Sequence, residues 1–211
     1  MSRYHNVSAF VLAGGASRRM GRDKALLELG GVPLIVRTVR LLEPLVSSTA
    51  VVAPAEKYAW PGLRIVDDRW PGAGPLGGIV TALGTSFTDW NLILACDLPF
   101  LTAEWIDWLI SRALNSSAQA IVPESKRGIE PLAAIYHRDC GPVFSAAFQQ
   151  GARSVREALR HVPFDRVTGD EWLAVNSSDL LLQNVNTLKD FGEARRQVSN
   201  AATCVSRSRR G

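Results

Sequence analysis

Short apolar runs alternate with helix-spaced segments along nearly the whole chain, and this alternation most constrains the fold. VSAFVLA (Val7–Ala13), STAVVA (Ser48–Ala53), LRIV (Leu63–Val66) and WNLILAC (Trp90–Cys96) are largely apolar and rich in β-branched residues. Such runs suit strands buried on both faces. Between them, PLIVRTVRLLEPL (Pro33–Leu45) repeats Ile35, Val39 and Leu42 at helical spacing, with Pro33 suited to a first turn. TAEWIDWLISRAL (Thr102–Leu114) opens on an N-cap threonine, with Glu104 in its first turn. DDRWPGAGPLGG (Asp67–Gly78) is dense in turn residues and reads as a loop, leading to a helix around Ile79–Leu83.

Further strands are expected at Ala118–Pro123 and Pro131–His137, with weaker signals at Phe164–Val167 and Trp172–Val175. Helices are expected over Asp139–Gln150, Ser154–His161 and Thr187–Gln197. Strands alternating with helices predict an α/β fold of three layers, α/β/α, around a mostly parallel central sheet. In such sheets ligands sit at the carboxyl ends of the strands, near a switch in strand order. The loops after Ala13, Val66 and Cys96 should therefore converge on one rim.

The chain has 211 residues, enough for one sizeable core. One domain is expected over 1–197, with a basic, disordered tail over 198–211. The net charge of +4 falls to +1 without Arg207, Arg209 and Arg210, so a nucleic-acid-binding face has little support. No apolar run approaches the ~20 residues that cross a bilayer. Three widely spaced cysteines, Cys96, Cys140 and Cys204, form no CxxC pair, and a reducing cytoplasm is expected.

The chemistry concentrates at strand ends. VLAGGASRRMGRDK (Val11–Lys24) leaves a buried strand on two glycines and then carries Ser17, Arg18, Arg19 and Lys24. Bare backbone amides and cations suit phosphate oxygens, although a turn with solvated cations reads the same way. No GxxxxGK[ST] or GxGxxG is present. Asp97 ends an apolar strand and could hold Mg²⁺, or simply begin a turn. Asp67 and Asp68 follow another strand, before Gly72, Gly74, Gly77 and Gly78. Together the three loops make a site for a nucleoside triphosphate and a divalent metal. Trp70 is a candidate to face a ligand, whereas Trp105 and Trp108 read as core or rim. His5, His137 and His161 lack ligand spacing.

LAGGASRRMGRDK resembles the nucleotidyltransferase signature LAGGxSxRMGxxK; GPLGG, CDLP and NVNT (Asn184–Thr187) resemble that superfamily's later motifs. The set is most similar to the molybdenum cofactor guanylyltransferase family, over Val7 to about Arg196. The LAGG form, through Gly15, points to its guanylyl rather than its cytidylyl branch. The resemblance implies a Rossmann-like nucleotidyltransferase domain that joins GMP from GTP to the terminal phosphate of Mo-molybdopterin, with Mg²⁺, releasing pyrophosphate. It implies GTP on residues 7–100 and the acceptor on the later part. Leu12, Ala13, Gly14, Gly15, Ser17, Lys24, Asp67, Pro75, Leu76, Gly77 and Asp97 would bind GTP. Lys24, Arg19 and Asp97 would be catalytic, Asp97 as the metal ligand. Asn184 and Asn186 would face the acceptor, and Arg156, beside Arg153 and Ser154, could bind its phosphate. Where the family often has an asparagine after the second strand, this chain has Ala53 and Pro54. The resemblance admits molybdoenzyme apoproteins or other cofactor-biosynthesis proteins as partners. Also open are a cytidylyl or sugar-phosphate nucleotidyltransferase and a non-catalytic nucleotide-binding maturation factor.

Overall fold

The computed structural model describes residues 4–14, 23–58, 60, 62–175, 178 and 180–208, with side chains as far as Val198. Strand β1 (Tyr4–Leu12) pairs in parallel with β4 (Val46–Ala53) on one side and β6 (Trp90–Ala95) on the other. Beyond β4 lies β5 (Ile65–Asp67), also parallel. Beyond β6, β9 (Ala133–His137) is antiparallel both to β6 and to β7 (Ala120–Ser125). β10 (Phe164–Val167) closes that edge in parallel with β7, and β8 (Gly128–Ile129) folds back on β7 as a hairpin. The order is thus β10-β7-β9-β6-β1-β4-β5. The two reversals at β9 cancel, so β7 and β10 end on the same edge as β1, β4, β5 and β6. The chain moves outward from β1 to β5 and then returns to β6 on β1's other flank, so the switch in order falls beside β1.

Period-two alternation buries β1 on both faces. Val7, Ala9 and Val11 pack with Ile35, Val39 and Leu42 of α1 (Leu34–Leu42) and with Trp105 and Leu109 of α3 (Ala103–Leu114). Phe10 points the other way, into a cluster with Leu76 and Ile79 of α2 (Pro75–Thr85), Phe144 and Phe148 of α4 (Cys140–Gln149) and Val155 of α5 (Val155–Ala158). Trp105 is fully buried, and Trp108 packs against the first cluster, in agreement with the sequence. Thr102 caps α3 by accepting the Trp105 N–H at 3.3 Å.

Three expectations change, and one element is added. GPLGG is not all loop: Pro75–Gly78 is the first turn of α2. Gly74 (φ +81°) makes the entry and Pro75 occupies the first helical turn. Glycine costs helix stability, about 1 kcal/mol relative to alanine, but close packing requires it here. A Cβ on Gly77 would stand 3.0 Å from Trp70 Cβ, and one on Gly78 would stand 3.3 Å from Leu12 Cδ1. Second, the weak strand at Trp172–Val175 is replaced by helix α6 (Gly169–Leu173), set by a capping box in which Glu171 accepts the Thr168 N–H. Third, helix α7 (Leu188–Ser208) continues past Gln197, so backbone expected to be disordered from 198 is helical to 208. The added element is a small hairpin of β2 (Glu28–Leu29) and β3 (Val32–Pro33), which precedes α1. Its turn is Gly30-Gly31, both at positive φ, as a two-residue hairpin turn of the primed type requires.

Candidate active site

The switch beside β1 is the natural place for a ligand, and the strand-end loops meet there as expected. The Ala13 N–H bonds Val52 O at 3.0 Å, the Asp68 N–H bonds Ala53 O at 3.1 Å and the Cys96 N–H reaches Leu12 O at 3.4 Å, so the ends of β1, β4, β5 and β6 are stitched side by side. Gly14 has φ +122°, and a Cβ there would lie 3.2 Å from Pro54 Cδ. Pro54, standing near the family's asparagine position, therefore packs on the glycine turn. Gly15, Ser17 and Arg19, with Arg18, lie outside the described residues.

Description resumes at Asp23, which caps a short 3-10 turn over Lys24–Leu26. Its carboxylate accepts the Ala25 N–H at 3.0 Å, the Tyr58 hydroxyl at 2.8 Å and the Lys57 ammonium at 2.9 Å. Burial by itself would raise the Asp23 pKa, but hydrogen bonds from Lys57, Tyr58 and Ala25 outweigh it and hold the carboxyl below its usual value. Burial, and then Asp23, push the Tyr58 phenol well above its ordinary pKa. This clasp joins the end of the cationic loop to the segment after β4. Nothing in the local sequence pattern of Asp23, Lys57 or Tyr58 announces it.

Clasped in this way, Lys24 reaches across the rim. Its ammonium donates to Asn186 Oδ1 at 2.7 Å and lies 3.4 Å from Asp97 Oδ2. Asn184 Nδ2 donates to the other oxygen, Asp97 Oδ1, at 3.1 Å, and the Val185 N–H bonds the Asp97 carbonyl at 2.9 Å. Val185 between the two asparagines is buried with Leu29, Leu34 and Ala194. Thr187 and Asp190 close the start of α7: Asp190 accepts the N–H groups of Asn186 and Thr187, which lower its pKa, and its own N–H bonds Thr187 Oγ1. Residues expected on the nucleotide and acceptor sides, Lys24, Asp97, Asn184 and Asn186, thus form one cluster. Cys96, next to Asp97, has its thiol pushed up to about 12 by burial and by the carboxylates of Asp97 and Asp23, so it stays protonated and is a poor nucleophile at neutral pH.

The remaining candidates divide. Asp67 is exposed at the end of β5 and accepts the Ala55 N–H at 3.1 Å, leaving it on the open rim. Asp68 is structural, accepting the Trp70 N–H at 3.0 Å and standing 3.2 Å from the Thr81 hydroxyl. Pro75 is exposed, whereas the Leu76 side chain and Gly77 are buried. Any ligand contact from those two is by backbone at the start of α2, where no side chain caps the free amides. Trp70 packs its ring 5.2 Å from Phe148 and keeps 43% exposure. Arg153 lies over the Phe148 ring and donates to the carbonyls of Phe148 and Ala152.

The structure does not bring Arg156 to the Lys24 cluster: its guanidinium donates to Ile129 O at 3.1 Å and reaches Arg127 O at 3.5 Å, bracing the β7–β8 hairpin. Among the described residues, an arginine that does reach the cluster is Arg127, through Asn184 Oδ1 at 2.7 Å. His5 and His161 are exposed, and His137 pairs with Asp139 at 3.1 Å, all away from this cluster.

Comparisons with known proteins identify the family. Residues 9–164 match the MobA-like NTP transferase domain. A protein of Carboxydothermus hydrogenoformans named "probable molybdenum cofactor guanylyltransferase" is 34% identical over 186 residues, covering 88% of this chain and 93% of that one. A protein of the same name from Nostoc sp. is 32% identical over 213 residues, covering 98% and 99%. The crystal structure of molybdopterin-guanine dinucleotide biosynthesis protein A from Archaeoglobus fulgidus superposes with a TM-score of 0.80 at 25% identity, over 92% of this chain and 99% of that one. With its parallel strand ends, its glycine turn and its lysine–aspartate–asparagine cluster, this chain belongs to the family of MobA-like NTP transferase domains and is a nucleotidyltransferase.

Proposed function

We propose that the protein transfers GMP from GTP to the terminal phosphate of Mo-molybdopterin, forming the guanine dinucleotide cofactor and releasing pyrophosphate. One observation carries this reading furthest: the Lys24 ammonium bridges Asp97, on the nucleotide rim, and Asn186, on the segment read as facing the acceptor. The relatives named as molybdenum cofactor guanylyltransferases support this choice of nucleotide and acceptor.

An acceptor phosphate oxygen attacks the α-phosphorus of GTP. The bond from that phosphorus to the oxygen bridging to the β-phosphate breaks, and pyrophosphate leaves with the electron pair. The nucleophile is already ionised at neutral pH, so no side chain need act as a general base. The protein's work is to align two anions and offset their charge. Leu12, Ala13 and Gly14 present backbone to the nucleotide, and Gly15 and Ser17 are assigned to the same nucleotide from the signature motif alone. Asp67 takes the base or ribose side, and the amides of Leu76 and Gly77 add donors. Lys24 and Arg19 neutralise the transferring phosphate, and Asn184 and Asn186 hold the acceptor end.

Asp97 fits a metal held through one carboxylate: among the described residues no three His, Cys, Asp or Glu side chains gather as a ligand set, and Mg²⁺ at nucleotide sites commonly takes its other ligands from phosphates and water. When bound there it would supply charge neutralisation of the leaving pyrophosphate. Cys96 and Cys140 are free thiols and no helix among the described residues is long and apolar enough to cross a membrane. Both fit a cytoplasmic biosynthetic enzyme.

The test is pyrophosphate release with Mo-molybdopterin and Mg²⁺, comparing GTP with CTP and adding EDTA. GTP should be used, CTP should not, and EDTA should stop turnover. Equal turnover with CTP, or none with GTP, overturns the assignment. An Asp97→Ala protein that still supports molybdoenzyme activity in cells would favour a non-catalytic maturation role.

A further inference from the structure

The rim does not end at Asn184. Because β7 and β10 finish on the same edge as β1 and β6, the surface continues into a cavity of about 580 Å³ between the β7–β8 hairpin and α6. That volume is within the range of small-molecule sites. Its walls include Lys126 and Arg127 on the hairpin, Glu124 and Asp170 as acids, and Trp172 and Leu182 as apolar surface. Trp172 and Leu182 are almost wholly buried, and the Trp172 indole N–H is spent on Glu124 O. The cavity therefore offers cations at one end, an apolar wall, and carboxylates that can accept from ring N–H groups.

Arg127 joins this cavity to the reacting cluster. A single nitrogen, Nη2, stands 2.9 Å from Leu182 O, 3.1 Å from Glu130 Oε1 and 2.7 Å from Asn184 Oδ1, three acceptors that share its two hydrogens. Ser125 holds the same Glu130 oxygen at 2.6 Å. Since Arg127 can only donate, the oxygen of the Asn184 amide must face it, and the NH₂ group then faces Asp97 Oδ1. The side chain still keeps 52% exposure, so its other edge is open to a ligand.

We propose that this cavity receives the ring system of the phosphorylated acceptor, and that Arg127 is the positioning residue linking it to Asp97 through Asn184. This rests on the acceptor named above. The ligand class that fits is a flat, partly apolar heterocycle with N–H donors and an anionic tail. The ring lies along Trp172 and Leu182, with its N–H edge toward Glu124 or Asp170. The anion lies at Arg127 and Lys126.

The test is direct binding of molybdopterin to the full chain, by titration calorimetry, alongside GTP binding. Gly169 lines the cavity and has no atom within 4 Å of where a Cβ would stand, so the first carbon of a side chain is accommodated there and Gly169→Phe adds bulk at the cavity wall. It should weaken molybdopterin binding at least tenfold, while GTP affinity and melting temperature stay at wild-type values. Arg127→Ala should raise the acceptor KM and lower kcat. Arg127→Lys should keep most of the KM but not kcat, because one ammonium meets the anion without fixing the amide. Wild-type affinity in Gly169→Phe, or no molybdopterin binding by the wild type, overturns the cavity assignment. A kcat in Arg127→Lys equal to wild type overturns the positioning role. Failure of GTP turnover in the wild type would instead refute the proposed reaction, and the calorimetric comparison would still decide the cavity.

Discussion

Tyr58→Phe isolates the clasp that sets where Lys24 stands. The substitution keeps the buried ring and removes one hydroxyl, which donates to the Asp23 carboxylate at 2.8 Å. A hydrogen bond to a charged group contributes about 1.5–3 kcal/mol. Asp23 keeps the Lys57 ammonium and the Ala25 N–H, so about 2 kcal/mol is the expected loss. For a domain of this size that is a fall of roughly 4–8 °C in Tm.

The pH dependence follows from the lowered Asp23 pKa. A depressed carboxyl contributes stability that is fully present above its unfolded value of about 3.9 and disappears as pH falls through the lower folded value. The gap between Tyr58→Phe and wild type should therefore be widest near neutral pH and close below about pH 4. Thermal melts across pH measure this, and a double-mutant cycle with Asp23→Ala isolates the pair. If Tyr58→Phe melts with wild type at pH 7, or if the double variant loses the sum of the two singles, the clasp does not act as described.

Lys24→Ala should reduce turnover roughly a hundredfold, the usual cost of losing one charge-stabilising donor, and Lys24→Arg should retain clearly more; steady-state pyrophosphate release distinguishes them. Gly14→Ala forces a side chain into positive φ against Pro54. It should cost on the order of 1–3 kcal/mol, seen as a lower urea midpoint, and should weaken GTP binding in the same preparation.

The parallel half of the sheet was legible because its strands must be apolar on both faces and must stop where the chain meets solvent, at Gly14, Asp67 and Asp97. The direction of β9 was not, since an apolar run such as AAIYH reads alike in either sense. α6 was mistaken for a strand because its short apolar run outweighed the Thr168–Glu171 capping box, the one local signal for a helix start. α2 was begun late because glycine and proline usually mark turns, and only the closeness of Trp70 and Leu12 explains glycines inside a helix.

At the site, Lys24, Asp97, Asn184 and Asn186 were legible as family motifs. Their meeting in one cluster was not, nor were Tyr58 and Arg127. These two act on partners 35 and 57 residues away, beyond any local periodicity.

The separation within that cluster bears on how the enzyme matures. Lys24 and Asn186 are 162 residues apart, so the contact joining them can close only after the chain as far as Asn186 has left the ribosome. The nucleotide rim of β1, β4, β5 and β6 can form earlier, with Lys24 facing Asp97 but lacking Asn186. On the proposed function, a nascent chain would hold GTP before it can transfer from it, with docking of the segment before α7 as the completing step.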